Sequence, residues 1–142
     1  MRHNRIPLVL AVALGSALGS VARYLISVAL FLTWGSAFPW GTLIANTLGS
    51  FLIGLYARTS GPEGRLRHSP ATRHFVLTGF CGGFTTLSLF SFETVELIGQ
   101  GAAAAATVNV LASVALWLLG VVAGSRFGNR LNRSANTHAS TE

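Results

Sequence analysis

Long stretches almost free of charge place the strongest constraint on the fold of this chain. With histidine counted as neutral, Arg23 is the only charged residue between positions 6 and 57, and Glu93 and Glu96 are the only ones between 74 and 125. Charged residues make up 10% of the chain, against roughly 25% in a soluble domain. Stretches this apolar and this long are typical of helices in lipid, so we expect an all-α integral membrane protein.

The apolar stretches divide into four spans, each long enough to cross a bilayer. We expect four transmembrane helices in one domain of residues 1–127, followed by a mobile polar tail at 128–142; the helices are expected at about residues 7–32, 40–57, 74–98 and 102–123. Small residues four apart, at Gly15 and Gly19 and again at Gly120 and Gly124, predict faces where helices approach closely.

The third span contains a stretch that reads like a loop. Gly82 and Gly83 are followed by Thr85 and Thr86, and glycine costs a helix about 1 kcal/mol relative to alanine while threonine is stiff at χ1. We expect the helix to unwind near its middle, at the paired glycines, where freed backbone groups must be packed in protein or line a polar cavity. Freed carbonyls can hold a cation, and helix N-terminal amides attract an anion. A kink stabilised by Ser and Thr hydroxyls is the alternative.

Several polar residues interrupt the apolar spans. Asn46 should face another helix or a pore, either as a link between helices or as a donor to an anion. Arg23 either reaches the membrane interface or places a cation at the mouth of a water-filled vestibule. Asn109 and Ser113, four residues apart, form a polar track on the fourth span. Phe90 offers an electropositive ring edge that could meet a small anion without trapping it.

The sequence argues against an enzyme and against nucleic-acid binding. Asp is absent, no histidine lies well inside a span, and neither a Ser-His-Asp nor a Cys-His nor a paired-carboxylate arrangement is present. The single cysteine, Cys81, should be inert packing. The net charge of +6 comes from arginines at the ends of spans. It therefore reports membrane topology rather than a nucleic-acid surface.

Three segments resemble the Fluc/CrcB family of fluoride ion channels: residues 15–24 (GSALGSVARY), 41–51 (GTLIANTLGSF) and 79–93 (GFCGGFTTLSLFSFE). The resemblance covers residues 6 to 127. It implies four transmembrane helices per subunit, an antiparallel dimer with two narrow pores at the interface, and passive export of fluoride that lowers its toxicity in the cytoplasm. It also implies a buried structural sodium ion shared by the two subunits.

The resemblance further implies roles for individual residues. The backbone carbonyls of Gly82 and Thr85 would bind the sodium ion. Arg23 would lie in the vestibule, with Glu93 near one pore end. The pore or anion-binding residues would be Asn46, Thr86, Leu87, Ser88, Phe90, Asn109 and Ser113. Stripping water from fluoride requires hydrogen-bond donors, which amides and hydroxyls can supply.

One position departs from the family pattern. The family's Thr-Thr-Phe-Ser-Thr-Phe appears here as Thr-Thr-Leu-Ser-Leu-Phe at residues 85–90. Leu87 thus replaces the first pore phenylalanine, and Leu89 replaces a hydroxyl. Leucine keeps a pore apolar but has no polarised ring edge. At least one pore built with this subunit could therefore conduct poorly.

The arginines are distributed unevenly about the four spans. One side would carry Arg2, Arg5, Arg58, Arg65, Arg67, Arg73, Arg126, Arg130 and Arg133, and the two connections on the other side carry neither lysine nor arginine. The positive-inside rule then predicts a multi-pass protein of the cell membrane with both termini in the cytoplasm. A subunit fixed in one orientation should pair with a separately encoded homologue of opposite orientation; a homodimer is the alternative.

Two other functions compete with a conducting channel. A non-conducting partner subunit could supply half of the sodium site and one pore wall. A proton-coupled exporter of cationic compounds needs a carboxylate inside the membrane, and the first two spans contain neither Asp nor Glu.

Overall fold

The described part of the chain is built from helices and turns, without strands. A computed structural model describes residues 6–61, 66 and 68–139, with side chains for 7–61, 66 and 68–133. The helices are α1 (Ile6–Trp34), α2 (Trp40–Thr59), α3 (residues 70–84), α4 (Leu87–Gly99) and α5 (Ala103–Ala139). Four of the nine arginines that sequence analysis placed on one side lie outside the described residues, namely Arg2, Arg5, Arg65 and Arg67.

Three segments are long and apolar enough to cross a membrane: Pro7–Trp34, Pro70–Gly99 and Ala103–Arg133. The all-helical membrane class predicted from the sequence is therefore confirmed. The 20-residue helix α2 is not among the three. It is the most shielded of the long helices: Thr42, Ala45, Asn46 and Gly49 are all buried in the chain itself, and a helix that faces protein can carry more polar residues than one that faces lipid.

The helices pack as two close pairs, each with small residues at the contact. A Cβ on Gly120 of α5 would lie 2.9 Å from the Thr47 carbonyl oxygen of α2. A Cβ on Gly19 of α1 would lie 2.8 Å from the Phe84 backbone nitrogen of α3. No side chain fits at such separations, so backbone meets backbone. The predicted close-approach faces are thus confirmed for both helices.

Helix α3 differs from the expected span in its start and in its winding. It begins at Pro70 rather than residue 74, because Ser69 accepts a hydrogen bond from the Thr72 backbone N–H at 3.2 Å and proline is favoured in the first turn. Within α3, Pro70–His74 and Gly82–Phe84 are α-helical and Phe75–Cys81 is π-helical. The π-helical segment was not predicted.

Helix α5 continues 16 residues beyond the predicted end of the fourth span at Ala123, into the segment expected to be a mobile tail. Packing against the end of α2 accounts for the first part of this continuation. A Cβ on Gly128 would lie 2.8 Å from the Cβ of Arg58, and the Asn132 side-chain amide donates to the Arg58 carbonyl at 2.9 Å. Residues 140–142 lie outside the described part.

Candidate functional site

The helix of the third span is interrupted at Thr85 and Thr86, which are both extended, with φ/ψ of −90°/155° and −152°/127°. The paired glycines, where sequence analysis placed the unwinding, are helical; that position was wrong. A Cβ on Gly83 would lie 2.8 Å from the Ser16 Cα of α1. Gly83 therefore serves the close contact between α1 and α3 and does not break the helix.

Asn46 of α2 binds the backbone at the interruption through both ends of its side-chain amide. Its Oδ1 accepts a hydrogen bond from the Thr86 N–H at 2.7 Å, and its Nδ2 donates to the Thr86 carbonyl at 2.8 Å. The residue is only 4% exposed. A buried amide without partners would cost several kcal/mol. The two bonds therefore stabilise Asn46 and the extended conformation of Thr86 together.

The interruption removes the usual helical donors from the carbonyl groups of residues 82–85, which include the two predicted to bind the cation. In a continuous α-helix the Thr86 N–H would bond to the Gly82 carbonyl, but here it bonds to Asn46. The Leu89 N–H would bond to the Thr85 carbonyl, but it bonds to the Thr86 hydroxyl at 3.2 Å. Both carbonyl oxygens are thus available to another ligand. A Cβ on Gly82 would have no atom of the described chain within 4 Å.

Helix α1 supplies donors to the neighbouring carbonyls. Ser16 donates to the Gly79 carbonyl at 3.4 Å, and Ser20 donates to the Gly83 carbonyl at 3.3 Å. The Arg23 Nε also donates to the Gly83 carbonyl, at 3.4 Å. Arg23, expected at a vestibule, therefore lies at the level of the interruption, deep along α1.

The residues that follow the interruption divide between an outer and an inner face. Leu87 is 67% exposed, and Ser88 is exposed beside it with its hydroxyl 3.2 Å from that of Thr86. Phe90 is half-buried and meets Trp117 of α5 edge to face, with ring centroids 5.1 Å apart. The structure thus brings Thr86 and Ser88 together, and it places Phe90 against α5.

The predicted track on α5 lies inside the contact between α4 and α5. Asn109 is 1% exposed and donates from Nδ2 to the Thr94 hydroxyl at 2.9 Å, and Ser113 is fully buried and donates to the Asn109 Oδ1 at 3.4 Å. The side chains of Asn109, Ser113 and Thr94 therefore provide hydrogen-bond partners for one another. They are therefore not on the exposed face that carries Leu87 and Ser88.

Glu93 lines a cavity of about 610 Å³ near the connection between α1 and α2. Its Oε1 accepts a hydrogen bond from the Thr42 hydroxyl at 2.8 Å. The Glu93 Oε2 and the Ser27 Oγ, which belong to the same cavity lining, are buried without a hydrogen-bond partner in the described part of the chain.

Trp117 is a candidate site residue that sequence analysis did not name. Its Nε1–H is buried and has no hydrogen-bond partner among the described residues, and its ring contacts Phe90. The spacing could have revealed it, because Asn109, Ser113 and Trp117 follow one another at intervals of four residues on one helix face. Trp117 extends the polar track of α5 by one more donor.

Similarity to known proteins extends over most of the chain. The profile of a family described as "CrcB-like protein, Camphor Resistance (CrcB)" matches residues 10–125. A protein of Rhodopseudomonas palustris (strain BisB18) named "Fluoride-specific ion channel FluC 1" is 47% identical over 135 residues, 95% of this chain and 96% of the relative.

Two further relatives carry similar names. "Fluoride-specific ion channel FluC" of Opitutus terrae is 47% identical over 117 residues, 82% of this chain and 89% of the relative. "Fluoride-specific ion channel FluC 1" of Bradyrhizobium diazoefficiens is 45% identical over 122 residues, 86% of this chain and 84% of the relative. The relatives are named as ion channels and not as enzymes, as sequence analysis expects of this chain. With the profile match covering most of its length, the chain belongs to the CrcB family.

Proposed function

We propose that this chain is a subunit of a fluoride-selective channel, which lets fluoride leave the cytoplasm passively down its electrochemical gradient and so limits its toxicity. The observation that carries the proposal is the identity of 45–47%, over at least four fifths of the chain, with relatives named fluoride-specific ion channels. The interruption at Thr85 and Thr86, with its buried amide from Asn46, supports the same function because non-helical backbone at membrane depth is tolerated only beside protein or a polar cavity.

The pathway would pass the polar groups that surround the interruption. The hydroxyls of Thr86 and Ser88 lie together, and one N–H of the Asn46 amide remains beyond the bond that it donates to Thr86. Phe90 would present its ring edge. We propose that Asn109 and Ser113, which support Thr94 of α4 from inside, line the pathway indirectly by holding its wall in place, with the Trp117 N–H as a further donor.

A structural sodium ion fits the carbonyls of Gly82 and Thr85. Both oxygens have lost their helical donors, and oxygen atoms are the ligands that hard cations prefer. Gly82 lies on the exposed surface of the chain, where a second subunit could bring its own pair of carbonyls. When bound, the ion would supply positive charge beside the pathway without an arginine side chain blocking it.

We propose that α2 is a fourth membrane span. Its 20 residues would be about 30 Å long, which matches the hydrocarbon core of a bilayer. With four spans, Arg58, Arg73, Arg126 and Arg130 would lie on one side of the cell membrane, and both termini would be cytoplasmic. The chain would then assemble as an antiparallel dimer with a homologous subunit of opposite orientation; the homodimer is the alternative.

Tags on either terminus test this topology. We expect a tag on the N-terminus and a tag on the C-terminus both to be protected from protease in intact cells. Equal populations of inward and outward C-termini would contradict a fixed orientation and favour the homodimer.

Fluoride efflux from liposomes tests the function. The purified chain, alone and with a homologue of opposite loop charge, is reconstituted in vesicles loaded with potassium fluoride, and a fluoride electrode follows release after valinomycin is added. We expect rapid fluoride release from vesicles that hold both subunits, and no release of chloride from matched vesicles; release by the chain alone would favour the homodimer. Release that required a proton gradient, or cation uptake coupled to protons, would favour the exporter instead.

The matched variants Phe90→Leu and Phe92→Leu separate a pathway residue from a surface one. Phe90 lies between α4 and α5, whereas Phe92 is 64% exposed. An aromatic edge contributes about 0.5–1.5 kcal/mol, which corresponds to about a two- to tenfold slower efflux in Phe90→Leu alone. Equal effects of the two substitutions would count against this pathway.

The non-conducting partner remains a second candidate, favoured by one observation. Leu87 is 67% exposed at the position where the resemblance implies a pore phenylalanine. If the chain paired with a conducting homologue releases fluoride at a rate that Phe90→Leu in this chain leaves unchanged, this second candidate holds.

A further inference from the structure

We propose that Asn46 and Thr86 are positioning residues for the cation, because their side chains capture the two backbone N–H groups that would otherwise cover the carbonyl oxygens of Gly82 and Thr85. This inference rests on the sodium site of the proposed function. It assigns to Asn46 a structural task distinct from contact with the anion.

The contribution of Asn46 follows from the donor that it removes. A continuous helix would return the Thr86 N–H to the Gly82 carbonyl. The Asn46 Oδ1 takes that N–H at 2.7 Å, while its Nδ2 holds the Thr86 carbonyl at 2.8 Å. The amide thus acts as a neighbouring backbone would, pairing with one residue on both its donor and its acceptor. Without it, re-forming the helical bond is the most direct way to satisfy the Thr86 N–H.

The Thr86 side chain removes the helical donor of the second carbonyl, that of Thr85. Its Oγ1 accepts the Leu89 N–H at 3.2 Å in the manner of a helix N-cap. The Thr85 carbonyl, which would be the helical acceptor for that N–H, is left free. A hydroxyl on Thr86 and an amide on α2 therefore expose two oxygens that lie three residues apart.

The two carbonyls on either side of Gly82 are occupied by donors. The Cys81 carbonyl accepts from the Thr85 N–H at 3.0 Å and from the Thr85 hydroxyl at 2.9 Å. The Gly83 carbonyl accepts from Ser20 and from Arg23. Gly82 thus lies between two carbonyls that already have donors, and its own has lost its helical donor.

The test compares two substitutions of Asn46 that keep its approximate size. In Asn46→Asp, a carboxyl oxygen still accepts the Thr86 N–H, so the Gly82 oxygen stays exposed even if the new acid hinders fluoride. In Asn46→Leu, no acceptor remains. The two variants therefore separate cation positioning from anion contact.

The readout is the sodium dependence of thiol modification at Cys81. This is the single cysteine of the chain, it is fully buried, and it directly precedes Gly82. The full-length chain, purified in mild detergent as the assembly it forms in the membrane, is treated with a small methanethiosulfonate reagent in sodium chloride or in choline chloride of equal concentration. A cation held by Gly82 and Thr85 suppresses the local opening that exposes the thiol.

We expect sodium to slow the modification by about tenfold or more in the unchanged chain and in Asn46→Asp, since ligand well above its dissociation constant depletes the open state in proportion. In Asn46→Leu the ratio of the two rates should fall to within about twofold of unity. A full sodium effect in Asn46→Leu would overturn the inference and leave the sodium site standing. No sodium effect in the unchanged chain would overturn both, whatever the fluoride efflux shows.

A second pair of variants decides the matter if Asn46→Leu does not fold. Thr86→Ser retains a hydroxyl for the Leu89 N–H, and Thr86→Val has the same shape without it. Sodium protection of Cys81 that survives in Thr86→Ser and is weakened in Thr86→Val supports the inference. Equal protection in both variants contradicts it.

Discussion

The two parts of the third span, α3 before the interruption and α4 after it, are held in different ways. Helix α3 lies with its backbone against α1, where Gly15 and Gly19 leave no room for a side chain. Helix α4 is held by side chains: Asn109 bonds to Thr94, and Thr42 bonds to Glu93. Its outer face is left to the surroundings, with Leu87, Phe92, Val95 and Ile98 all more than half exposed.

This contrast shows how one span can combine a rigid and an adaptable part. Backbone contact through glycine fixes α3 to α1, because neither helix can shift without a clash. Helix α4 presents large apolar side chains that lipid or a second subunit can cover. The interruption at Thr85 and Thr86 allows the two parts to follow different neighbours.

The largest effect is expected from a side chain placed in the α1–α3 contact. In Gly19→Val, the added carbons would meet the Phe84 backbone nitrogen at 2.8 Å and the Phe80 carbonyl. Backbone cannot move aside as a flexible side chain can, so we expect a loss of about 3 kcal/mol or more, with little monodisperse protein on gel filtration. The control is Gly99→Ala at the end of α4, where a Cβ meets nothing within 4 Å. Similar yields of the two variants would contradict the view that close backbone contact holds α3 against α1.

A smaller loss is expected from the side-chain contact that holds α4. Asn109→Leu removes the donor to Thr94 and the acceptor for Ser113. Buried groups left without partners cost about 1–3 kcal/mol each, although hydrogen bonds between membrane helices average nearer 0.6 kcal/mol. We expect about 1 kcal/mol, measured as a lower midpoint of thermal unfolding in detergent. An unchanged midpoint would mean that α4 is held by its apolar contacts alone.

The exposed face of α4 can be changed without disturbing the side-chain hydrogen bonds that hold this helix against α2 and α5. Leu87→Phe introduces an aromatic edge at a position that is 67% exposed. An aromatic contact of about 0.5–1.5 kcal/mol predicts a fluoride efflux about two- to tenfold faster in liposomes. The reverse result, slower efflux with unchanged thermal stability, would show that a ring at this position obstructs the pathway.

The smallest effect is expected from the hydroxyls of α1. Ser16 reaches the Gly79 carbonyl at 3.4 Å, which is long for a hydrogen bond. Ser16→Ala should therefore change the free energy of unfolding by less than about 0.5 kcal/mol. A loss as large as that of Asn109→Leu would mean that side-chain bonds hold α3 as firmly as they hold α4.

Features that depend on local spacing could be predicted from the sequence. The pairs Gly15 with Gly19 and Gly120 with Gly124 mark contact faces because residues four apart lie on one side of a helix. Asn46 could be singled out because an amide in an apolar span needs a partner. The sequence did not reveal that this partner would be the backbone of Thr86, 40 positions away.

Features that depend on distant contacts could not be predicted. The interruption lies at Thr85 and Thr86 because Asn46 binds there, and Gly83 stays helical because α1 lies against it. The continuation of α5 as far as Asn132 is stabilised by packing along α2, on the face where Gly128 follows Gly124 by four residues. In each case local propensity favoured one outcome and a tertiary contact decided another.

The π-helical segment Phe75–Cys81 makes this part of the chain tolerant of a one-residue change in its length. A π-helix closes its hydrogen bonds over one residue more than an α-helix does. A π-helical segment between α-helical turns takes up about one extra residue within itself. Deleting one residue here, with a return to α-helical winding, would therefore leave Gly83 against α1 and Thr86 beside Asn46. Deleting a residue from the α-helical turn Gly82–Phe84 would instead turn everything downstream by about 100°. Insertions and deletions among relatives should therefore spare the interval from Gly82 to Thr86 more strictly than the π-helical segment.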